Sequence, residues 1–181
     1  MDAFSDVRPA VACLDLLAAP VAAALRSWNG SVPVEEIRYV DTDPAIADTA
    51  VLVAHHGEWL LEQSANCVVV AAKRGGATTL AACLVLSHTR VDVNGAVRRQ
   101  LGARKASFAP MGTAVGDSGM EYGGITPVGL PADWPLLVDA AVADTPYALI
   151  GSGSRRGKLI VPGKALAELP HATVLEGLAT A

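Results

Sequence analysis

The residues of this sequence best suited to chemistry are glycines. In Met120-Glu121-Tyr122-Gly123-Gly124-Ile125-Thr126-Pro127-Val128-Gly129-Leu130, two adjacent glycines stand four and three positions before a proline. A residue without a Cβ lets another group come close to the backbone, and the proline fixes φ and stiffens the turn. A loop so built can present backbone N–H groups to a ligand. The same letters also serve as an ordinary tight connection between two elements. Downstream, the apolar run Leu136-Leu137-Val138 closes on Asp139, and a second glycine turn follows at Ile150-Gly151-Ser152-Gly153.

Other chemically capable side chains read as structural. His55 and His56 are adjacent, so on a helix they point roughly 100° apart, whereas ligands sharing a helix face need a spacing of three or four. No Glu, Asp or Cys stands at a suitable spacing, and the pair reads as a helix C-terminus, where positive charge is favourable. His88 and His171 are isolated. Cys13, Cys67 and Cys83 are odd in number and lack a paired metal spacing. Cys67 and Cys83 lie inside apolar runs, as small core residues rather than nucleophiles. Gly151-Ser152-Gly153 lacks the longer pattern of a nucleophile elbow. Neither a metal nor a cofactor is expected.

With 181 residues, 51% hydrophobic and 18% charged, the chain suits one domain with a buried core and is not a disordered polymer. No apolar run reaches the ~18 residues of a membrane helix. The acidic start, Met1 to Asp6, differs from the basic start of a secretory signal. A reducing cytoplasm is the expected setting. A net charge of −4 argues against nucleic-acid binding through global charge. Cations nevertheless concentrate in the second half, at Arg98-Arg99, Arg104-Lys105 and Arg155-Arg156-Gly157-Lys158. These read as solvated surface charge or, if gathered on one side, as a grip on a polyanion.

The elements that must position the glycine loops follow from periodicity and punctuation. Residues 1–19 are alanine-rich and form a loosely helical leader to a domain over 20–181. Pro20 opens a helix through Trp28, which Asn29-Gly30 stops. Residues 34–40 alternate as a strand, and Asp43-Pro44 caps a helix over 45–54. A short helical segment over 58–65 feeds a β-branched buried strand over 66–72, and Lys73-Arg74-Gly75-Gly76-Ala77 turns it into a partner over 79–86. Residues 91–101 read as a helix that Gly102 caps, 105–109 as a strand, and 111–118 as a helix delivering the chain to the first glycine loop. Residues 136–138 form a strand, 140–143 a helix, 147–150 and 158–161 a hairpin around the second glycine turn, 163–169 a last helix and 173–175 a final strand. The interleaving lacks the regular period of a Rossmann sheet, and gives a single mixed α/β or α+β domain.

In its order of a glycine, three residues and a proline, then a short apolar strand closing on Asp139, then a strand running into Gly151-Ser152-Gly153, the chain resembles the YbaK-type and prolyl-tRNA synthetase insertion-domain family from about Ala22 onward. The resemblance implies a mixed, partly barrel-like sheet surrounded by helices, and an aminoacyl-tRNA deacylase that hydrolyses the ester of mischarged tRNA. Its partners would be the aminoacylated 3′ end of a tRNA and, in one version, an aminoacyl-tRNA synthetase, with no membrane.

Within that resemblance, the oxyanion donors and water-placing backbone fall on Gly123 and Gly124, while Ile125, Thr126, Pro127, Gly151, Ser152 and Gly153 bind substrate. Asp139 fixes the loop by hydrogen bonds or meets the substrate's amino group. The chain departs from the pattern at Asn66, where relatives carry a lysine in the setting Glu-Gln-x-x-Lys; here Glu62-Gln63-Ser64-Ala65 leads into Asn66. Asn66 could keep an orienting hydrogen bond, giving up on the order of 1 kcal/mol or more of charge assistance, and its carbonyl could accept from the α-ammonium. Two readings follow. One is a free-standing trans-editing deacylase with Asn66 in the site. The other is a non-catalytic descendant that binds tRNA ends, aminoacyl-adenylate-like ligands or a synthetase. A structural partner protein without nucleic-acid contact is a third.

Overall fold

A computed structural model describes residue 4, residues 6–43, residues 45, 51, 53, 54 and 57, and residues 59–181. The expected helix over 45–54 and the His55-His56 pair fall largely or wholly outside the described residues. Two sheets carry the fold. The first runs β1 (Val7–Pro9), β2 (Arg38–Val40), β9 (Lys158–Val161), β8 (Ala148–Gly151), antiparallel throughout. The second runs β10 (Ala172–Leu175), β7 (Leu136–Asp139), β4 (Ala77–Leu86), β3 (Ala65–Arg74), β6 (Lys105–Phe108). In it β7 lies parallel to both β10 and β4. A short pair, β5 (Arg90–Val91) with β11 (Ala179–Thr180), completes the strands. The domain is thus mixed α+β, as expected. Its sheets meet along a seam without closing into a barrel, linked by a parallel bridge between Ser64 and Leu149.

The β3–β4 hairpin forms where the β-branched run meets Gly75 and Gly76, whose φ of 55° and 85° suit a two-residue turn. Both strands run further than expected because the ladder pairs Arg74 with Ala77 directly around those glycines. Helix α1 (Ala19–Arg26) carries Pro20 in its first turn and buries Val21, Ala22 and Leu25. Short helices α2 (Trp59–Gln63), α3 (Arg98–Gln100), α4 (Met111–Ser118), α5 (Ala140–Ala143) and α6 (Gly163–Ala167) cover the sheets. Gly119, in the left-handed region at φ 67°, ends α4. The largest core gathers residues from both sheets and α1, with Tyr39, Leu84, Leu136, Ile150 and Leu159 fully buried.

Three expectations give way to tertiary context. The leader is not a loose helix: Val7–Pro9 pairs with β2, two 3-10 turns follow, and Ala10, Cys13 and Leu17 enter the main core. Residues 34–36 form a 3-10 turn behind Pro33, leaving only Arg38–Val40 as strand. The expected helix over 91–101 opens as a π-type turn over Val93–Val97, because the Asp92 carboxylate accepts the amides of Gly95 at 2.9 Å and Ala96 at 2.8 Å.

Candidate active site

The two glycine turns pack on each other. The amide of Gly153 donates to the Gly124 carbonyl at 2.8 Å, and the Glu121 amide donates to the Gly153 carbonyl at 2.9 Å. Glu121 further ties the turns together by accepting the Arg155 amide on its carboxylate at 2.7 Å. A Cβ on Gly151 would run into the Gly124 carbonyl, and one on Gly124 would sit 2.5 Å from the Ser154 carbonyl oxygen. Both glycines are therefore dictated by backbone meeting backbone, although neither has a positive φ.

Beside this junction lies an open cleft of about 610 Å³. Its floor is Ser64 and the first half of β3, from Ala65 to Val69, together with Ile150, Gly151 and Lys158 across the seam. Tyr122, Gly123, Ile125 and Arg155 form one side, and Phe108, Ala109, Met111 and Ala114 another. The rim is apolar and wet: Phe108, Met111 and Tyr122 are 64%, 57% and 64% exposed. Such side chains can cover a flat ligand.

Of the residues expected to act chemically, Asn66 and Gly123 line this cleft, and Gly124 does not. Gly124 is buried, and its N–H is spent on the Glu121 carbonyl at 2.9 Å, so it is no donor to a ligand. Among the described residues the amides of Gly123 and Ile125 have no acceptor. Gly123 is exposed, at φ 79°, with the Arg155 guanidinium near its open side. Among the expected substrate-binding residues, Ile125 and Gly151 reach the cleft, while Thr126, Pro127, Ser152, Gly153 and Asp139 stand outside its lining. Thr126 and Pro127 are buried behind the loop. Ser152, with no exposed surface, donates its hydroxyl to the carbonyls of Arg156 and Gly157, both at 3.0 Å, and so closes its own turn. A Cβ on Gly153 would strike Ala18 at 2.5 Å, which places that glycine against α1. Asp139 caps α5 by accepting the Ala141 amide at 2.9 Å and holds the C-terminal strand by accepting the Ala179 amide at 2.9 Å. It meets neither glycine loop nor cleft.

The basic run 155–158 splits three ways. Arg155 stands beside the cleft. Arg156 turns away to grip Asp41 with two bonds, Nε to Oδ1 at 2.9 Å and Nη2 to Oδ2 at 2.7 Å. This guanidinium holds the Asp41 carboxyl below its ordinary value. Tyr39 also donates to Asp41 at 3.3 Å, and burial, with Asp41 beside it, pushes that phenol up to about 12. Lys158, only 8% exposed, enters the cleft. Its residue type carried no sign of this, since the run reads as surface charge and the inward direction is set by the β8–β9 register. Cys67 also lines the cleft, but burial raises its thiol strongly, which leaves no thiolate for nucleophilic work near neutral pH. Among the described residues no cluster of His, Cys, Asp and Glu could hold a metal, and no helix is long and apolar enough to cross a membrane.

Comparison with known proteins gives the geometry a context. The family model for the aminoacyl-tRNA editing domain matches residues 43–169. No curated protein matches the chain. Among solved structures, a candidate trans-editing enzyme for prolyl tRNA synthetase is similar at a TM-score of 0.71 and 21% identity, over 88% of this chain and 94% of that one. A hypothetical protein is similar at a TM-score of 0.68 and 20% identity, over 80% and 91% of the two chains. At these identities the likeness is one of fold.

Proposed function

The chain belongs to the aminoacyl-tRNA editing-domain family, and from that premise we propose that it is a free-standing trans-editing deacylase that hydrolyses the ester of a mischarged tRNA. The observation that carries this reading is the open cleft whose lining combines the uncommitted amides of Gly123 and Ile125 with a floor of small and polar residues. An aminoacyl ester is activated, so positioning and charge stabilisation suffice. Water adds to the ester carbonyl carbon, and the carbonyl electron pair moves onto oxygen. The amides of Gly123 and Ile125 then receive that oxyanion. Collapse breaks the bond to the ribose oxygen, which takes up a proton. The products are the free amino acid and a tRNA with its terminal hydroxyl restored.

Asn66, on the cleft floor, orients the aminoacyl group by its amide, which both donates and accepts. Arg155 beside Gly123 offers a cation to the backbone of the tRNA end. The limited floor, bounded by Val69, Ile125 and Ile150, selects by size, a mode that excludes a larger side chain more sharply than a smaller one.

The test is loss of ester from a broad panel of misacylated tRNAs, with Gly123→Ala beside the wild type. The expected result is hydrolysis of at least one species well above the uncatalysed rate, and its loss in Gly123→Ala. A second reading, a binder of tRNA ends without chemistry, draws on the neutral Asn66 in the floor. It predicts salt-dependent tRNA binding with no ester loss from any species.

A further inference from the structure

The floor of the cleft contains a cation whose position follows from strand register. The bridge between Ser64 and Leu149 is parallel. Gly151 pairs with Lys158 across β8 and β9, so the two lie on one face of their sheet, and both line the cleft together with Asn66. Gly151 has no side chain, and the four-carbon stem of Lys158 can cross the space that glycine leaves open.

Two further observations point to the same place. Ser64 is 3% exposed, lines the cleft, and its hydroxyl has no hydrogen-bond partner among the described residues. It stands two residues before Asn66, on the same strand face. A buried hydroxyl at the wall of a cleft is satisfied when a ligand oxygen arrives. The strand start that carries Lys158 is also held firmly: the Gly157 amide donates to the Thr42 hydroxyl at 3.1 Å, next to the Arg156 and Asp41 fork. A site group set on a pinned strand keeps its geometry.

We propose that Lys158, aided by the Ser64 hydroxyl, joins the Gly123 and Ile125 amides in binding the acyl carbonyl oxygen of the substrate at the cleft floor and takes up part of its charge as the tetrahedral intermediate forms. In a recess shielded from water the charge of a lysine that is 8% exposed acts more strongly on a developing anion than it does at the surface. Arg155 lies at another side of the cleft, beside Gly123. The assignment rests on the deacylase reading above and adds to it a side chain that meets the reacting oxygen.

The experiment measures kcat and KM for the hydrolysed ester, melting temperature, and calorimetric binding of a hydrolysis-resistant, amide-linked aminoacyl-adenosine. Lys158→Met is expected to lower kcat by on the order of 100-fold or more with KM moved only a few-fold, as for removal of one oxyanion donor, and to weaken analogue binding at least tenfold. Lys158→Arg should recover part of kcat. Ser64→Ala should cost about tenfold, and Asn66→Lys in the Lys158→Met background should restore part of the activity from elsewhere on the cleft lining. Should Lys158→Met fail to fold, Lys158→Arg and Ser64→Ala still decide. Wild-type kcat and analogue binding in Lys158→Met would overturn the assignment and leave the deacylase standing. A wild type that binds the analogue through Lys158 but hydrolyses no ester would overturn the deacylase and leave the contact. Absence of both binding and hydrolysis would overturn both.

Discussion

Gly124→Ala isolates the contact on which the cleft is built. Gly124 is buried and its φ is not positive, so alanine meets no backbone penalty there. The only obstacle is space. Its Cβ would stand 2.5 Å from the Ser154 carbonyl oxygen and 2.6 Å from the carbonyl carbon, against about 3.4 Å for an ordinary contact. The two turns must therefore part by roughly 0.9 Å, the difference between those distances, and what must yield is backbone. Overpacking of this kind costs about 1–3 kcal/mol, which for a chain of this size lowers the melting temperature by roughly 2–12 °C at about 2–4 °C per kcal/mol. The same displacement moves the Gly123 and Ile125 amides, and a misplacement near 1 Å costs on the order of 100-fold in rate. Thermal melting and ester hydrolysis read the two effects together. The control is Gly116→Ala in α4, where nothing lies within 4 Å of the added carbon; it should be stabilised by about 0.5–1 kcal/mol with unchanged activity. Adding Arg155→Ala should not rescue Gly124→Ala, since the clash is with the backbone of Ser154. A Gly124→Ala protein with wild-type melting and wild-type kcat would refute the steric account of this junction.

Three other expectations test neighbouring parts of the argument. Cys67→Ala should retain hydrolysis within a few-fold, because burial keeps the thiol protonated; a loss beyond 100-fold would make it a nucleophile. Asp139→Ala should lower stability by about 1–2 kcal/mol through the lost cap on α5, with kcat and KM of the remaining folded enzyme unchanged; a change confined to KM would return this carboxylate to the substrate. The Asp41 and Arg156 fork should add only slightly to stability at neutral pH, because both side chains are exposed enough for solvent to screen them. Since the folded Asp41 carboxyl lies below its ordinary 3.8, that contribution is present above about pH 4 and is lost as pH falls through the folded value. The difference in denaturant stability between wild type and Asp41→Asn should shrink accordingly, and a difference that grows toward low pH would contradict the ion pair.

The hairpin of β3 and β4, helix α4, the strand closing on Asp139 and the hairpin of β8 and β9 were legible because each rests on local causes: β-branched runs, paired glycines at a turn, and a capping glycine after Ser118. The residue types of the two glycine loops also showed where backbone would be approached closely, as Gly124 and Gly151 bear out. Local sequence could not say what approaches them. The neighbour of Gly124 is Ser154, thirty positions on, so a glycine read as open to a ligand turned out to be filled by the protein's own chain, with its amide already spent. Nor could it divide the run from Arg155 to Lys158. Adjacent residues there point to Gly123, to Asp41 and into the cleft, and these directions depend on Gly123, Asp41 and β2, which come from distant parts of the chain. The sequence by itself determined the elements and the turns, because those depend on neighbours within a few residues. The tertiary structure alone decided which amides, which hydroxyl and which cation share a cleft, because register between distant strands sets the face on which each side chain emerges.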